Sequence, residues 1–402
     1  MRRLVVIGLA LLVVGAACGR PEGDPLAGDS LFLQTSAGVE VIQPGADSPS
    51  YSDPVAVQSS DWSTVVETHL GKKSTTVVAV DPLTQRERWE LEVPGNQTVN
   101  VVAQDGSLAA LSPTWEYNHA VGRRTTRLTV VGSRSIEPKR FVLDGNYEPE
   151  AFSTDGKHLF LVSYLPARAP NSYQVRRLDL TTGKVEGVTT PDKHLQQRMG
   201  GTARIQTASP DGRRLYTLYT MTMQGETYAF IHVLSLDELW AHCIDLPAEF
   251  ASKADDRASA MSVSPDGKSL YVLNSVEGVV AEIDTQALRV VDTEGVRAGS
   301  GTAHLAHDGR STLYVGSGNQ LSSICTTDGE RGRNWTLPEK IRGLQFTTDG
   351  ARLYVGLRHE LHVFDATSGE KIDVLNPSGI AKIVRFGPVM PQIDDGAFVC
   401  AC

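Results

Sequence analysis

Four side chains, Glu148, Glu150, His194 and His304, are of the types that acid–base or metal-dependent hydrolysis requires. A carboxylate and an imidazole that converge on one site can transfer protons, or hold a divalent ion that activates water. The sequence contains no His-Glu-x-x-His, Walker A or Gly-x-Ser-x-Gly motif. These four residues are therefore catalytic candidates only if the fold brings them together.

A second set combines guanidinium, imidazole and phenol groups and could bind an anion. Its members are Arg204, Arg257, Arg342, Tyr117 and His119. Arg204 and Arg342 share one position of a repeat, seven residues before an Asp-Gly pair. Two interpretations stay open. The arginines are solvated or paired with acidic neighbours, or they form a cationic mouth that concentrates an anionic small ligand or an acidic protein.

His304 and His307 are three residues apart, a separation that suggests a zinc pair. Successive side chains of a strand alternate between its two faces, so residues three apart on a strand point to opposite sides. We therefore interpret them as a rim histidine and a turn residue. The sequence predicts no metal site and indicates no particular cofactor.

The elements that must position these residues are repeated units, each marked by an aspartate that a glycine follows in all but the first copy. The aspartates are Asp61, Asp105, Asp155, Asp211, Asp266, Asp308 and Asp349. Their spacing averages 48 residues, a period typical of propeller blades built from short strands. Asp-Gly tolerates the positive φ of a tight hairpin turn, so we interpret these acids, and Asp81, Asp179, Asp284 and Asp365 at second turns, as turn formers.

The copy at residues 259–291 illustrates one blade, because four short segments rich in apolar and β-branched residues alternate with three turns. Its segments Leu-Tyr-Val-Leu-Asn-Ser at 270–275 and Glu-Ile-Asp-Thr at 282–285 resemble the YVTN-type bacterial β-propeller repeat, a WD-like repeat. The Ser-Pro-Asp-Gly-Lys turn at 264–268 is similar too. The resemblance covers about residues 30–387. It implies an extracytoplasmic propeller, a fold used by lactonases, quinoprotein-related dehydrogenase subunits and binding platforms.

The two ends of the repeat region complement each other. Residues 31–33 and 39–42 have the pattern of the two middle strands of a blade without its first strand, and residues 381–386 have the pattern of a first strand with nothing after it. Pairing them would remove free sheet edges. Seven whole copies and this split one predict an all-β propeller of eight four-stranded blades; seven blades result if the N-terminal segment extends a neighbouring sheet instead.

The first residues have the pattern of an export signal. Two arginines precede an uncharged apolar run at residues 4–17, which is too short for a transmembrane helix and suits a signal peptide. Small residues then lead directly to Cys18, which resembles a bacterial lipobox with Gly15 where leucine is usual. Lipidation of Cys18 would anchor the chain; the alternative is ordinary cleavage near Ala17 that leaves Cys18 unmodified.

Four further cysteines, Cys243, Cys325, Cys400 and Cys402, fit an oxidising compartment only in part. A bridge between Cys400 and Cys402 would be strained, so a tail linked to Cys243 or Cys325 is the more favoured disulfide. Free thiols and a metal-binding Cys-x-Cys tail are the alternatives.

Charge limits the partners, because 38 basic and 47 acidic residues give a net charge of −9 and argue against nucleic acid. We predict a signal peptide at 1–17, a lipidated tether at 18–29, a propeller at 30–390 and a tail at 391–402. The predicted function is that of a membrane-anchored binding or scaffolding module in the cell envelope, for a protein or a small ligand. The alternative is a propeller enzyme, such as a lactonase-like hydrolase, with its site at the channel mouth.

Overall fold

The computed structural model describes residues 29–376, except 45, 47, 115–120, 134–136, 196–197, 252–256, 300 and 348, together with a last strand at 383–391. The strands form eight four-stranded antiparallel sheets, and the only helix of these residues is a 3-10 turn at Ala248–Phe250. None of the described helical structure is long and apolar enough to span a membrane. The predicted all-β propeller of eight blades is confirmed.

The first half of the ring contains fifteen strands in chain order. Blade 1 receives β1 (Asp29–Thr35), β2 (Gly38–Ile42) and β3 (Tyr51–Asp53). Blade 2 consists of β4 (Val57–Gln58), β5 (Val65–Leu70), β6 (Ser74–Asp81) and β7 (Arg86–Pro94). Blade 3 consists of β8 (Gln97–Val102), β9 (Leu108–Pro113), β10 (Thr125–Gly132) and β11 (Lys139–Asp144). Blade 4 consists of β12 (Asn146–Phe152), β13 (His158–Leu165), β14 (Ser172–Asp179) and β15 (Val185–Gly187).

The second half completes the ring. Blade 5 consists of β16 (Thr202–Ala208), β17 (Arg214–Met223), β18 (Glu226–Ser235) and β19 (Ala241–Asp245). Blade 6 consists of β20 (Ser259–Val263), β21 (Ser269–Asn274), β22 (Val279–Asp284) and β23 (Arg289–Gly295). Blade 7 consists of β24 (Ala303–His307), β25 (Thr312–Ser317), β26 (Gln320–Cys325) and β27 (Arg331–Thr336). Blade 8 consists of β28 (Gly343–Phe346), β29 (Arg352–Gly356), β30 (Leu361–Asp365) and β31 (Lys371–Leu375), and β32 (Ile383–Pro391) returns to blade 1.

The core lies between blades rather than on one side of a sheet. In β21, Leu270 and Val272 pack with Ile231 of blade 5, while the alternate residues Tyr271 and Leu273 pack towards blade 7. Side chains of a strand alternate between faces, so burial of both faces demands an unbroken apolar strand. This explains why the middle strands of the blades lack the alternation of polar and apolar residues seen in half-exposed sheets.

The Asp-Gly turns are held by their own side chains. Asp266 Oδ1 accepts hydrogen bonds from Ser264 Oγ at 2.7 Å and from the Lys268 amide at 3.1 Å, and Gly267 has a φ of 74°. Second turns use the same device, since Asp284 Oδ1 accepts the amides of Gln286 and Ala287 at 2.8 Å each. The structural role predicted for these aspartates is confirmed.

The ring closes as predicted, because a strand from the N-terminal end of the repeat region pairs with one from its C-terminal end. Strand β1 pairs with β32 in antiparallel register, with Leu31 opposite Val389 and Leu33 opposite Phe386. The sheet order is β3-β2-β1-β32, so the last strand is the innermost of blade 1. The N-terminal segment therefore forms blade 1 together with the last strand, and it does not extend the sheet of a neighbouring blade.

The connections divide the propeller into two faces. Each first-to-second and third-to-fourth strand turn lies on one side, which we call the Asp-Gly face. The segments that join consecutive blades, and the loops between second and third strands, lie on the other side, which we call the loop face. Strand β1 is a second strand and begins at Asp29, so the described chain starts on the Asp-Gly face.

Candidate functional site

Exposed apolar side chains concentrate on the loop face. Eleven large apolar residues are exposed in the described part of the chain, and seven belong to loop-face segments: Val55, Leu70, Val121, Leu195, Met223, Tyr228 and Val276. They follow one another around blades 2–6. The other four are Leu83 at a turn of the Asp-Gly face and Val142, Val291 and Ile372 on outer strands. Because seven of these eleven exposed residues share one face, the loop face is the candidate surface for binding another molecule.

The hairpin of blade 5 carries two of these exposed residues, Met223 and Tyr228. Strand β17 continues to Met223 and β18 begins at Glu226, so only two residues separate the strands. Gln224 and Gly225 form a two-residue turn with positive φ at both positions, as a type I′ hairpin requires. The ten-residue strands of this hairpin exceed the six-residue strands β21 and β22 of the next blade. Blade 5 therefore projects from the loop face.

The inner strand of blade 4 brings two predicted catalytic candidates together. Glu148 accepts a hydrogen bond from the Tyr164 hydroxyl at 2.7 Å, and Glu150 accepts one from the Gln206 amide at 2.6 Å. Pro149 pairs with Leu161 and Ala151 with Phe160, so Glu150 is the extra residue of a β-bulge. A bulge redirects the side chain that it carries, and here the partner of that side chain is on blade 5.

The environment of the pair perturbs its protonation. Burial raises the pKa of Glu150 from an ordinary 4.5 to about 7; the charge of nearby Glu148 adds to the rise, and the hydrogen bond from Gln206 opposes it. Burial and the carboxylate of Glu148 likewise raise the pKa of Tyr164. A carboxyl group that exchanges its proton near neutral pH can act as a general acid or base.

Aromatic side chains form a wall between blades 4 and 5. The rings of Tyr173 and Tyr219 stack with centroids 5.2 Å apart, and Tyr219 stacks on Phe230 at 5.4 Å. Met199 extends the wall, because its backbone exchanges hydrogen bonds of 2.8 and 2.9 Å with that of Tyr173. Burial and the charge of Glu150 raise the pKa of Tyr219, which places the wall beside the carboxylates.

Bulges occur in the inner strands of three consecutive blades, and the inner strand β32 of blade 1 also has register shifts. The extra residues are Asn100 in β8, Glu150 in β12 and Arg204 in β16, all polar. The inner strands β20, β24 and β28 pair with their neighbours without a register shift. In blades 3–5 each bulge thus redirects a polar side chain.

The predicted anion ligands occupy separate blades. Arg204 is half-buried and its Nε donates to Thr220 Oγ1 at 2.8 Å in blade 5. Arg342 precedes blade 8 and has a buried Nε without a hydrogen-bond partner among the described residues. Arg257 is exposed and precedes blade 6. Its backbone carbonyl accepts a hydrogen bond of 2.6 Å from the amide of Ala303 in blade 7. Tyr117 and His119 lie outside the described residues.

The two histidine candidates lie apart from the carboxylate pair. His194 is exposed in the segment between blades 4 and 5, where its Nε2 lies 3.7 Å from Asp192 Oδ2. His304 is on β24 of blade 7, with Nε2 3.1 Å from the Ile341 carbonyl. Burial lowers the pKa of His304 to about 4, Arg342 adds to the lowering, and the hydrogen bond with Ile341 opposes it. The geometry thus joins Glu148 with Glu150 and gives each histidine a different partner.

The described cysteines are free thiols in this structure. Cys243 is exposed, and its thiol donates to Met199 Sδ at 3.6 Å. Cys325 is half-buried at the end of β26. Cys18, Cys400 and Cys402 lie outside the described residues. Within the described ranges, no three His, Cys, Asp or Glu side chains are grouped to hold a metal ion.

Comparisons with known proteins support the fold alone. Apo AztD from Citrobacter koseri superposes with a TM-score of 0.55 at 11% identity, covering 91% of this chain and 99% of that one. A putative 6-phosphogluconolactonase from Bacteroides fragilis gives 0.48 at 15% identity, with 91% and 99% covered. Chaetomium thermophilum Sqt1, bound to the N-terminus of ribosomal protein L10, gives 0.48 at 14% identity, with 80% and 86% covered. No protein-family model matches the chain, and no curated protein matches it either.

Proposed function

We propose that this chain is a membrane-anchored binding module of the cell envelope that docks a protein partner on its loop face. The observation that carries the proposal is the arc of exposed apolar side chains over blades 2–6, with the hairpin of blade 5 projecting from it. Protein interfaces combine an apolar centre with a polar rim in which arginine is enriched. Arg204 belongs to the inner strand of blade 5, and Arg257 precedes the inner strand of blade 6. Both lie in this region and match a partner with acidic groups at the rim of its interface.

The position of Asp29 favours this orientation. A tether at residues 18–29 would join the propeller on the Asp-Gly face, where β1 begins. An anchor on Cys18 would then hold the Asp-Gly face towards the membrane. The loop face would point away from it, towards partners in the aqueous compartment.

Site-specific crosslinking tests the docking face. We expect a photoreactive phenylalanine analogue at Met223 or Val276 to give one discrete adduct of the same added mass in the native host, because both positions belong to the apolar arc. Val142 and Val291 are matched controls, since they are equally apolar and exposed but lie on outer strands. Adducts from the outer strands alone, or from none of the four positions, would contradict the proposal.

Replacement of the cysteine tests the anchor separately. We expect Cys18→Ser to move the protein from the membrane fraction to the soluble fraction, because acyl chains stabilise membrane binding by about 0.8 kcal/mol per buried CH₂ group. Mass spectrometry of the N-terminal peptide should show the lipid in the wild type only. Cys243→Ser is the control and should stay with the membrane. Unchanged membrane association of Cys18→Ser would refute the anchor and leave the docking face untouched.

A further inference from the structure

A cavity of about 230 Å³ opens between blades 6 and 7, where Arg297 of the segment that joins the two blades contributes to its lining. We call it the blade 6–7 groove and define it by Arg297, Ser322, Ser323, Arg331 and Asn334. Its floor includes the buried side chains of Val315 and Ile324. We infer that this groove binds a small molecule through an oxyanion group, a carboxylate or a phosphate.

An irregular pairing of the two outer strands of blade 7, β26 and β27, shapes the groove. Ser322 pairs with Asn334 and Ile324 with Arg331, so β27 carries one residue more than β26 over this stretch. The Arg333 amide donates to Ser323 Oγ at 3.0 Å across the bulge. A Cβ atom on Gly332 would lie 2.4 Å from Ser323 Oγ, so a side chain there would displace this wall. Position 332 thus borders the wall of the groove at Ser323.

The polar groups that line the groove are mainly donors. Two guanidinium groups and the Asn334 amide present N–H groups, and none of the lining residues is acidic. Ser323 Oγ accepts the Arg333 amide, which leaves its own O–H for another acceptor. Ser322 Oγ donates to the Arg297 carbonyl at 3.0 Å and holds that segment against blade 7. A donor-rich, acceptor-poor lining fits an anion.

Neither arginine is neutralised within the described part of the protein. Arg297 and Arg331 form no ion pair there, although Arg88, Arg177 and Arg352 each pair with a carboxylate. Arg331 Nη2 only approaches the Gly295 carbonyl, at 3.4 Å. Unpaired guanidinium groups beside a cavity raise the local potential on an acidic protein, and their planar fork matches carboxylate and phosphate oxygens.

The neighbouring cavity limits what the rest of the ligand can be. Glu282, Asp292 and Glu294 line it on the Asp-Gly side, and Ile324 belongs to both linings. A polyanion long enough to cross Ile324 would meet these carboxylates. The groove therefore suits one compact anionic group on a small molecule, and not a nucleic acid or a polyphosphate.

Calorimetric titration with inorganic phosphate and with acetate, at constant ionic strength, tests the inference. We expect the wild type to bind at least one of the two, and preference between them identifies the phosphoryl or the carboxylate as the natural group. The double substitution Arg297→Gln/Arg331→Gln should weaken binding at least about tenfold, since two charge-assisted contacts are lost. Arg86→Gln, on the exposed outer strand of blade 2, is the matched control and should bind as the wild type does.

Gly332→Ala separates a built groove from general surface charge, because it keeps every charge and moves only the wall at Ser323. We expect it to weaken binding as well. Unchanged affinity in Gly332→Ala or in the double variant would overturn the inference, and so would a wild type that binds neither probe. Near-ultraviolet circular dichroism confirms that each variant is folded. None of these results depends on the exposed apolar residues of the loop face or on the anchor.

Discussion

Asp29→Ala is expected to lower the free energy of unfolding by about 3–5 kcal/mol, the range for removal of one member of a buried ion pair. Asp29 is 2% exposed. It accepts hydrogen bonds from Arg352 Nε at 3.0 Å, from Arg352 Nη2 at 2.8 Å and from the Tyr354 hydroxyl at 2.6 Å. Its loss leaves a partly buried guanidinium and a buried hydroxyl without their acceptor, which costs more than the hydrogen bonds alone.

The position of this pair makes the effect a test of ring closure. Asp29 begins β1 of blade 1, whereas Arg352 and Tyr354 belong to β29 of blade 8. The pair therefore joins the N-terminal strand to the last complete blade, beside the pairing of β1 with β32. Urea unfolding followed by tryptophan fluorescence measures the loss, because Trp62 is buried near β1 and reports on blade 1.

Glu186→Ala supplies the matched control. It breaks the ion pair of Glu186 with Arg177, whose side chains are 49% and 27% exposed, and such pairs contribute only about 0–1 kcal/mol. The double substitution Asp29→Leu/Arg352→Met should recover much of the stability, since apolar residues avoid the desolvation of an unpaired charge. A loss for Asp29→Ala no larger than that for Glu186→Ala would show that the pair does not hold the ring.

The fold was predictable because its determinants are local and repeated. An Asp-Gly turn specifies a hairpin within five residues, and the hydrogen bonds at Asp266 show why a serine stands two residues before it. Ring closure was also predictable from the sequence. The N-terminal segment lacks a first strand and the C-terminal strand lacks partners, so their patterns are complementary. The pair of Asp29 with Arg352 was not predictable, because it joins residues 323 positions apart without any local signal.

The candidate site was harder to predict from the sequence than the fold, for two physical reasons. Strands β17 and β18 continue past the core into solvent, and residues beyond the core carry no apolar period that distinguishes a strand from a loop. The bulge at Glu150 redirects a side chain that simple alternation would place elsewhere, and its partner Gln206 belongs to another blade. The exposed apolar residues had a signal in the sequence, namely large apolar residues between the strand-like segments of a blade, such as Val276.

The carboxyl group of Glu150 makes stability depend on pH in an unusual direction. Its pKa is about 7 in the folded protein against an ordinary 4.5, so between these values the folded chain binds more protons than the unfolded chain. Stability contributed by the neutral carboxyl is complete below about pH 4.5 and is lost as pH rises to about 7, by up to about 3 kcal/mol. Most acidic side chains with perturbed pKa values in this protein, such as Asp266 at about 2, act in the opposite direction and lose stability on acidification.

Glu150→Gln isolates this effect, because the amide is neutral at every pH and can still accept the hydrogen bond from Gln206 through its oxygen. We expect the variant to exceed the wild type by about 2–3 kcal/mol near pH 8 and to match it near pH 4, in urea unfolding across that range. Glu148→Gln should lower the pKa of Glu150 and flatten the same slope, since it removes the neighbouring charge. Glu186→Gln, on an exposed outer strand, should leave the slope unchanged. Equal slopes in wild type and Glu150→Gln would mean that Glu150 is ionised at neutral pH, and the carboxylate pair would then offer a fixed negative charge rather than an exchangeable proton.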